Sequence, residues 1–251
     1  MDSQRIIETS DLTKHYAKLT AVDRLSFGVE ESEIFGFLGP NGAGKTTTLL
    51  MLMGLSQPSG GTVRVCGFDP SRKAREVKET VGYLPENVGF YGELDAVETL
   101  EYITDLNGVP RSKAQGTIRE ALSTVGLTGE ALEKKVGTYS RGMKQRLGIA
   151  EVLVKDPKVL FLDEPTLGLD PEGASKMVEL IKSLNRDRKI TVLLSSHNLP
   201  QVQKICHRVG IMIRGKMVAE GSIEALAKEK FGIGEREYTL EEIYMKYFQE
   251  G

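Results

Sequence analysis

No apolar run in the 251 residues approaches the ~20 that a helix needs to cross a bilayer. The opening residues, MDSQRIIETS, lack the apolar core of a signal peptide. Both absences lead us to expect a cytoplasmic chain. An excess of one charge is missing too: 33 Lys and Arg stand against 35 Asp and Glu, a formal net charge of −2. A dedicated nucleic-acid binder carries a basic excess, so nucleic acid is not an expected partner. Cysteine is scarce. Cys66 and Cys206 lie far apart and form no CxxC pair, which favours two small buried thiols over a disulfide or a metal cluster. There is no internal repeat and no low-complexity linker. The rest, 40% apolar and 27% charged, is ordinary for a globular protein. The length suits one large domain or a core plus a subdomain.

What is present is organised around residues 136–171, VGTYSRGMKQRLGIAEVLVKDPKVLFLDEPTLGLDP. The second half holds Val159-Leu160-Phe161-Leu162, closed by Asp163 and Glu164. A short apolar run between Pro157 and a carboxylate pair suits a buried parallel strand. Asp163 then sits at the strand's C-terminal edge, where open α/β sheets place ligands. The first half, Ser140-Arg141-Gly142-Met143, opens a helix. A helix begun by small residues presents free backbone N–H groups to an anion. One segment thus offers a carboxylate pair for a metal and a water, and separately a helix end for a phosphate.

Upstream, residues 5–30 alternate apolar and polar positions in pieces and read as antiparallel strands. Ile34-Phe35-Gly36-Phe37-Leu38 reads as a buried strand running into Gly39-Pro40-Asn41-Gly42-Ala43-Gly44-Lys45-Thr46-Thr47. This is the complete phosphate-binding pattern G-x-x-x-x-G-K-[ST] in the strand–loop–helix setting it requires. The glycines let the backbone wrap with its N–H groups toward phosphate oxygens. Lys45 is placed for the terminal phosphates and Thr46 for a Mg²⁺ ion. A helix through Leu49-Leu50-Met51-Leu52-Met53, a turn at Ser59-Gly60-Gly61 and a short strand at 62–65 follow.

Residues 88–139 change to helical patterning. Asp95-Ala96-Val97-Glu98 is a capping box ahead of Leu100, Ile103 and Leu106. A second helix over 112–125 puts Ile118, Leu122 and Val125 on one face and stops at Gly126. Beyond the central stretch, Pro171 opens a helix with Met177, Leu180, Ile181 and Leu184 on one face. Ile190-Thr191-Val192-Leu193-Leu194 is another buried strand, ending Ser195-Ser196-His197. His197 therefore lies just past a sheet edge, facing the phosphate site. Residues 209–218 pattern as a hairpin, and Ser222 caps a short helix. Residues 231–251 read as a loop and a last amphipathic helix with Leu240, Ile243, Tyr244 and Phe248.

With these motifs in this order, about residues 5–225 resemble the ATP-binding-cassette (ABC) ATPases. The family's Leu-Ser-Gly-Gly-Gln signature is here Tyr139-Ser140-Arg141-Gly142-Met143, matching at the serine and one glycine. The resemblance implies an α/β fold: a P-loop NTPase (RecA-like) core with an N-terminal antiparallel β region and an inserted helical subdomain. The core would span 1–87 and 140–230, the helical subdomain 88–139, and a tail helix 231–251. It implies ATP and Mg²⁺ as cofactors. Tyr16 would stack on adenine, and Asp163 would hold the metal beside Thr46. Glu164 would orient the attacking water, and His197 would contact the γ-phosphate. Glu86 stands where the family has the glutamine of its Q-loop, a ligand of Mg²⁺ at the hinge into the helical subdomain. Asp170 matches the D-loop, which crosses to the second subunit. The signature residues cap the ATP of that opposite subunit, so the expected partners are a second copy (or a homologous subunit) and integral membrane subunits. The expected place is the inner face of the cell membrane, as a peripheral ATPase.

The phosphate-binding loop, the Tyr-Ser-x-Gly-Met signature and Leu84-Pro85-Glu86 are similar to those of ABC-2-type exporters. Leu84-Pro85-Glu86-Asn87-Val88 with Phe90-Tyr91 is further similar to the copper-processing exporter ATPases of nitrous-oxide reductase maturation. Three other readings compete: a soluble ABC ATPase without a transporter, a small-molecule phosphotransferase, and a nonhydrolytic nucleotide switch. Glu164 argues against the switch. Ser140-Arg141-Gly142 and His197, at their spacings, argue against the phosphotransferase.

Overall fold

The computed structural model describes residues 5–232 and 238–250. Strands β1 (Arg5–Tyr16) and β2 (Leu19–Glu30) pair antiparallel, and β4 (Gly60–Val65) pairs on the other side of β1, giving a sheet of order β2-β1-β4. The "pieces" of the sequence pattern are two long strands whose register slips between Thr9 and Leu12 and again before Lys14. A slip reverses which side chains face inward, and this is why the alternation breaks.

The second sheet holds β3 (Ile34–Leu38), β5 (Val81–Leu84), β6 (Val159–Asp163), β7 (Thr191–Ser196), β8 (Arg208–Ile213) and β9 (Lys216–Gly221). Its order is β5-β6-β7-β3-β8-β9, parallel up to β8, with β9 closing as an antiparallel hairpin partner. Every residue of β3, β6 and β7 is buried, as expected of a sheet covered on both faces. Alternate residues feed two cores. Phe35, Phe37, Phe161 and Leu193 join the small sheet, where the rings of Phe27, Phe35 and Phe37 lie 4.9–5.8 Å apart. Ile34, Leu38, Leu160, Leu162, Val192 and Leu194 pack on the helical side.

The helices are α1 (Lys45–Leu52), α2 (Ala74–Thr80), α3 (Ala96–Leu106), α4 (Arg111–Thr124), α5 (Glu130–Glu133), α6 (Arg141–Leu153), α7 (Pro171–Arg188), α8 (Leu199–Ile205), α9 (Ile223–Phe231) and α10 (Leu240–Glu250). The capping box forms as read: Asp95 accepts from the Glu98 N–H while Glu98 accepts from the Asp95 N–H. Helices α2, α5 and α8 were not read from the sequence; each has seven residues or fewer, too short to show a helical period. Leu106, read with Leu100 and Ile103 behind the capping box, is exposed: it is the last helical residue, where the chain turns away into α4. Both cysteines are free and half-buried rather than buried. Cys206 ends α8 beneath Gly36, where an added Cβ would stand 2.9 Å from its sulfur. The expected last helix docks Leu240, Ile243 and Tyr247 into the helical-side core; its preceding loop falls partly on 233–237, outside the described residues. Among the described residues no helix is long and apolar enough to cross a membrane.

Candidate active site

Parallel register brings the site together. Leu38 pairs with Ser196, and Asp163 with Ser195, so the C-terminal ends of β3, β7 and β6 lie side by side. The loop 39–44, His197 and the Asp163-Glu164 pair leave from these adjacent ends.

The loop is built by backbone conformations that side chains oppose. Gly39, Gly42 and Gly44 have φ of 154°, 79° and 105°. A Cβ at Gly39 would meet the Met212 carbonyl oxygen at 2.4 Å, and one at Gly44 the Ala21 carbonyl oxygen at 2.5 Å. Gly42 has open space around it. Ala43 is buried, and Pro40 and Asn41 are exposed along the loop. Lys45 opens α1 and is only 7% exposed. Its Nζ donates to the carbonyls of Gly39 (2.7 Å) and Pro40 (3.3 Å). Burial lowers its pKa, opposed by the charges of Glu164 and Asp163.

Asp163 is clasped on both oxygens. Thr46 Oγ1 donates to Oδ2 at 2.9 Å, and Ser195 Oγ donates to Oδ1. Thr47, the next residue, is half-buried. Ser195 was missed in sequence, because only the strand register that places it opposite Asp163 marks it. Glu164 is also buried, and its backbone sits at φ 49°, in the left-handed region. Its N–H is shared between the Ser195 carbonyl (3.1 Å) and hydroxyl (3.2 Å). Its carboxylate accepts from His197 Nδ1 at 2.9 Å and from the His197 N–H at 3.3 Å. The imidazole is half-exposed while the carboxylate is not. A second tie, Thr166 Oγ1 to Gln201 Oε1 at 2.5 Å, joins the turn after Glu164 to α8 after His197.

The remaining candidates stand outside this cluster. Tyr16 ends β1, 45% exposed, with its hydroxyl 3.3 Å from Ser56 and the Lys14 ammonium 4.7 Å above the ring. Glu86 is exposed and is hydrogen-bonded to neither Thr46 nor Asp163; its Oε1 accepts from Asn87 at 3.4 Å. Tyr83 lies within reach of both charges: burial, with Asp163 and Glu86 adding, pushes its pKa up to about 12. Ser140 caps α6 by accepting from the Met143 N–H at 3.2 Å. No hydrogen bond joins residues 140–143 to the loop 39–47 among the described residues. Arg141 lies instead against Gly168, and Gly142 against Leu169. Asp170 precedes α7, with Pro171 in its first turn.

Residues 22–167 match the family described as ABC transporter. The chain is 44% identical over 223 residues to the bacitracin transport ATP-binding protein BcrA of Bacillus licheniformis, covering 89% of this chain and 72% of that one. It is 38% identical over 226 residues to the Nod factor export ATP-binding protein I of Paraburkholderia xenovorans, covering 90% and 74%. Among solved structures, an ATP-binding subunit of an ABC transporter superposes with a TM-score of 0.84 at 26% identity, over 97% of this chain and 99% of that one. The cassette MJ0796, a dimer in a post-hydrolysis state bound to ADP and Pi, superposes with a TM-score of 0.75 at 22% identity, over 86% and 98%, a likeness of fold.

Proposed function

The chain belongs to the ABC transporter family and is an ATP-binding subunit, an ATPase whose hydrolysis drives transport; from this premise we propose how its residues divide the work. The loop amides of 39–44, Lys45 and Thr47 receive the phosphates. Thr46 and Asp163 would hold Mg²⁺: a hydroxyl and a carboxylate already 2.9 Å apart are hard oxygen donors of the kind the ion takes alongside phosphate oxygens and water. Bound there, the ion would neutralise charge on the transferred phosphoryl group. Glu86 is a third candidate oxygen ligand, which comes to the metal only with movement of the hinge it occupies. Glu164 orients and polarises the attacking water. His197 orients Glu164 and contacts the γ-phosphate. Tyr16 stacks on the base with the ring face that Lys14 leaves open.

The carrying observation is the meeting of two bonded pairs, Thr46–Asp163 and Glu164–His197, at three neighbouring strand ends. A binding-only switch has no use for the second pair. Lys45→Ala tests the assignment: phosphate release should disappear and nucleotide affinity fall. Turnover at the parent rate would move the active site elsewhere.

Residues 140–143 are proposed to cap the ATP of a second copy, with Asp170 crossing the same interface. Their separation from the chain's own loop and the dimeric state of a cassette of like fold support this. The division into a core (1–87, 140–230), a helical subdomain (88–139) and a tail (231–251) is proposed on the same footing. Integral membrane subunits would dock near Tyr91, which is 65% exposed and edge-on to Tyr102. Its neighbour Phe90 packs against the helical-side core. Such docking would make the protein peripheral on the inner face of the membrane. Export is favoured by the Nod factor export relative. The finer likeness to copper-processing exporters rests on residues 84–91 alone.

A further inference from the structure

Helix α6 starts with the residues assigned above to phosphate capping and carries Gln145 about 8 Å along its axis. The Gln145 side chain is 1% exposed. Its Nε2 donates to the Glu86 carbonyl at 3.0 Å, while Oε1 has no hydrogen-bond partner among the described residues. The orientation is fixed, because a backbone carbonyl only accepts. A buried acceptor without a partner is costly and needs a reason. Leucine or methionine would fill the same space without that cost. What glutamine adds is the bond to Glu86.

The contact extends along the helix. Gly148, three residues on, is pressed against the same segment. A Cβ there would stand 2.5 Å from Leu84 Cδ1 and 3.1 Å from Val88 Cγ1. Arg146 binds the carbonyls of Val125 (3.4 Å) and Gly126 (3.1 Å), tying α6 to the end of α4. At its start, Arg141 and Gly142 rest on Gly168 and Leu169, in the turn following Glu164. One rigid helix therefore touches the hinge at Glu86 and the turn beside the catalytic carboxylate.

We propose that Gln145 is a positioning residue that couples the chain at Glu86 to the phosphate-capping end of α6. Movement at the hinge is carried through this carboxamide, beside the packing of Gly148 on Leu84 and Val88, to Ser140–Gly142, and nucleotide capture there is carried back to the hinge. The proposal rests on the nucleotide-sandwich reading above.

Deuterium exchange tests it in the full chain, in a Glu164→Gln background that holds ATP intact. With Mg-ATP, peptides covering 139–146 and 84–90 should both slow. With Gln145→Met added, 139–146 should still slow, and the nucleotide response of 84–90 should shrink about fivefold, the weight of one net hydrogen bond. Basal turnover and KM of the single Gln145→Met variant should stay within about twofold of the parent, since the residue lies outside the bonds of the active site. A full nucleotide response at 84–90, or exchange raised equally with and without nucleotide, would reduce Gln145 to packing and overturn the proposal. Failure of 139–146 to slow in the Glu164→Gln chain itself would overturn the sandwich reading, and the coupling with it. Gln145→Leu serves as the second replacement should the methionine variant not fold.

Discussion

Glu164→Gln changes one side-chain atom and removes one buried charge, and its effects on stability and on chemistry separate in size. The carboxylate accepts from His197 Nδ1 at 2.9 Å and from the His197 N–H at 3.3 Å. The amide can keep both bonds, with its carbonyl oxygen on the backbone N–H and its NH₂ donating to Nδ1 once the ring takes its other tautomer. Hydrogen bonds to charged groups are worth ~1.5–3 kcal/mol and neutral ones ~0.5–1.5, so the contact weakens by about 1–2 kcal/mol. Relief of repulsion from the neighbouring Asp163 offsets part of that. The chemical step loses its base, typically ~10²–10⁴ in rate, or ~3–5 kcal/mol. Phosphate release at saturating Mg-ATP should therefore fall at least a hundredfold, while the melting temperature and ATP affinity stay close to the parent's. The intact nucleotide should hold two copies together, giving a dimer in sedimentation with Mg-ATP and a monomer with Mg-ADP. Hydrolysis within tenfold of the parent, with a monomer in both nucleotides, would refute the role given to Glu164.

Lys45 should leave a pH signature. Its pKa is depressed by burial in the fold, so the unfolded chain holds that proton more tightly, and nucleotide-free stability should rise as pH climbs from the depressed value toward the ordinary one. Thermal melts at pH values approaching the ordinary lysine value of about 10.4 from below should show the rise in the parent and lose it in Lys45→Met; an equal rise in both would assign it to another group. Gly44→Ala should destabilise by ~2 kcal/mol or more, since its Cβ would meet the Ala21 carbonyl at φ 105°. Gly42→Ala, in open space, should cost only ~1 kcal/mol and act chiefly on nucleotide affinity; denaturant titration with ATP-binding isotherms separates the two. Arg208→Ala removes the cation from Glu33 (3.2 Å, buried) and from Glu220, and should lower stability by on the order of 3 kcal/mol. An unchanged urea midpoint would show that solvent already shields Glu33.

The buried strands β3, β6 and β7 were legible because each is a short apolar run ending at a residue with chemistry. The phosphate-binding loop was legible because its glycines answer to steric demands, at Gly39 and Gly44 from carbonyls of distant segments. Short helices were not legible, since seven residues make two turns and show no period. Among the site residues, Lys45, Thr46, Asp163, Glu164 and His197 were named from pattern and do lie together. Ser195 and Gln201 were not, because each acts through a bond to a residue 31 or 35 positions away, and such pairs have no local signature.

The backbone at Glu164 carries a consequence for descent rather than for catalysis. A non-glycine residue at φ 49° is strained by roughly 1–2 kcal/mol relative to glycine, and such strain persists only where the surrounding structure over-determines it, often at functional sites. A descendant that had given up hydrolysis would be free to place glycine or asparagine there and become more stable by doing so. The residue type at 164 among related chains is then expected to part those that still hydrolyse ATP from those that only hold it.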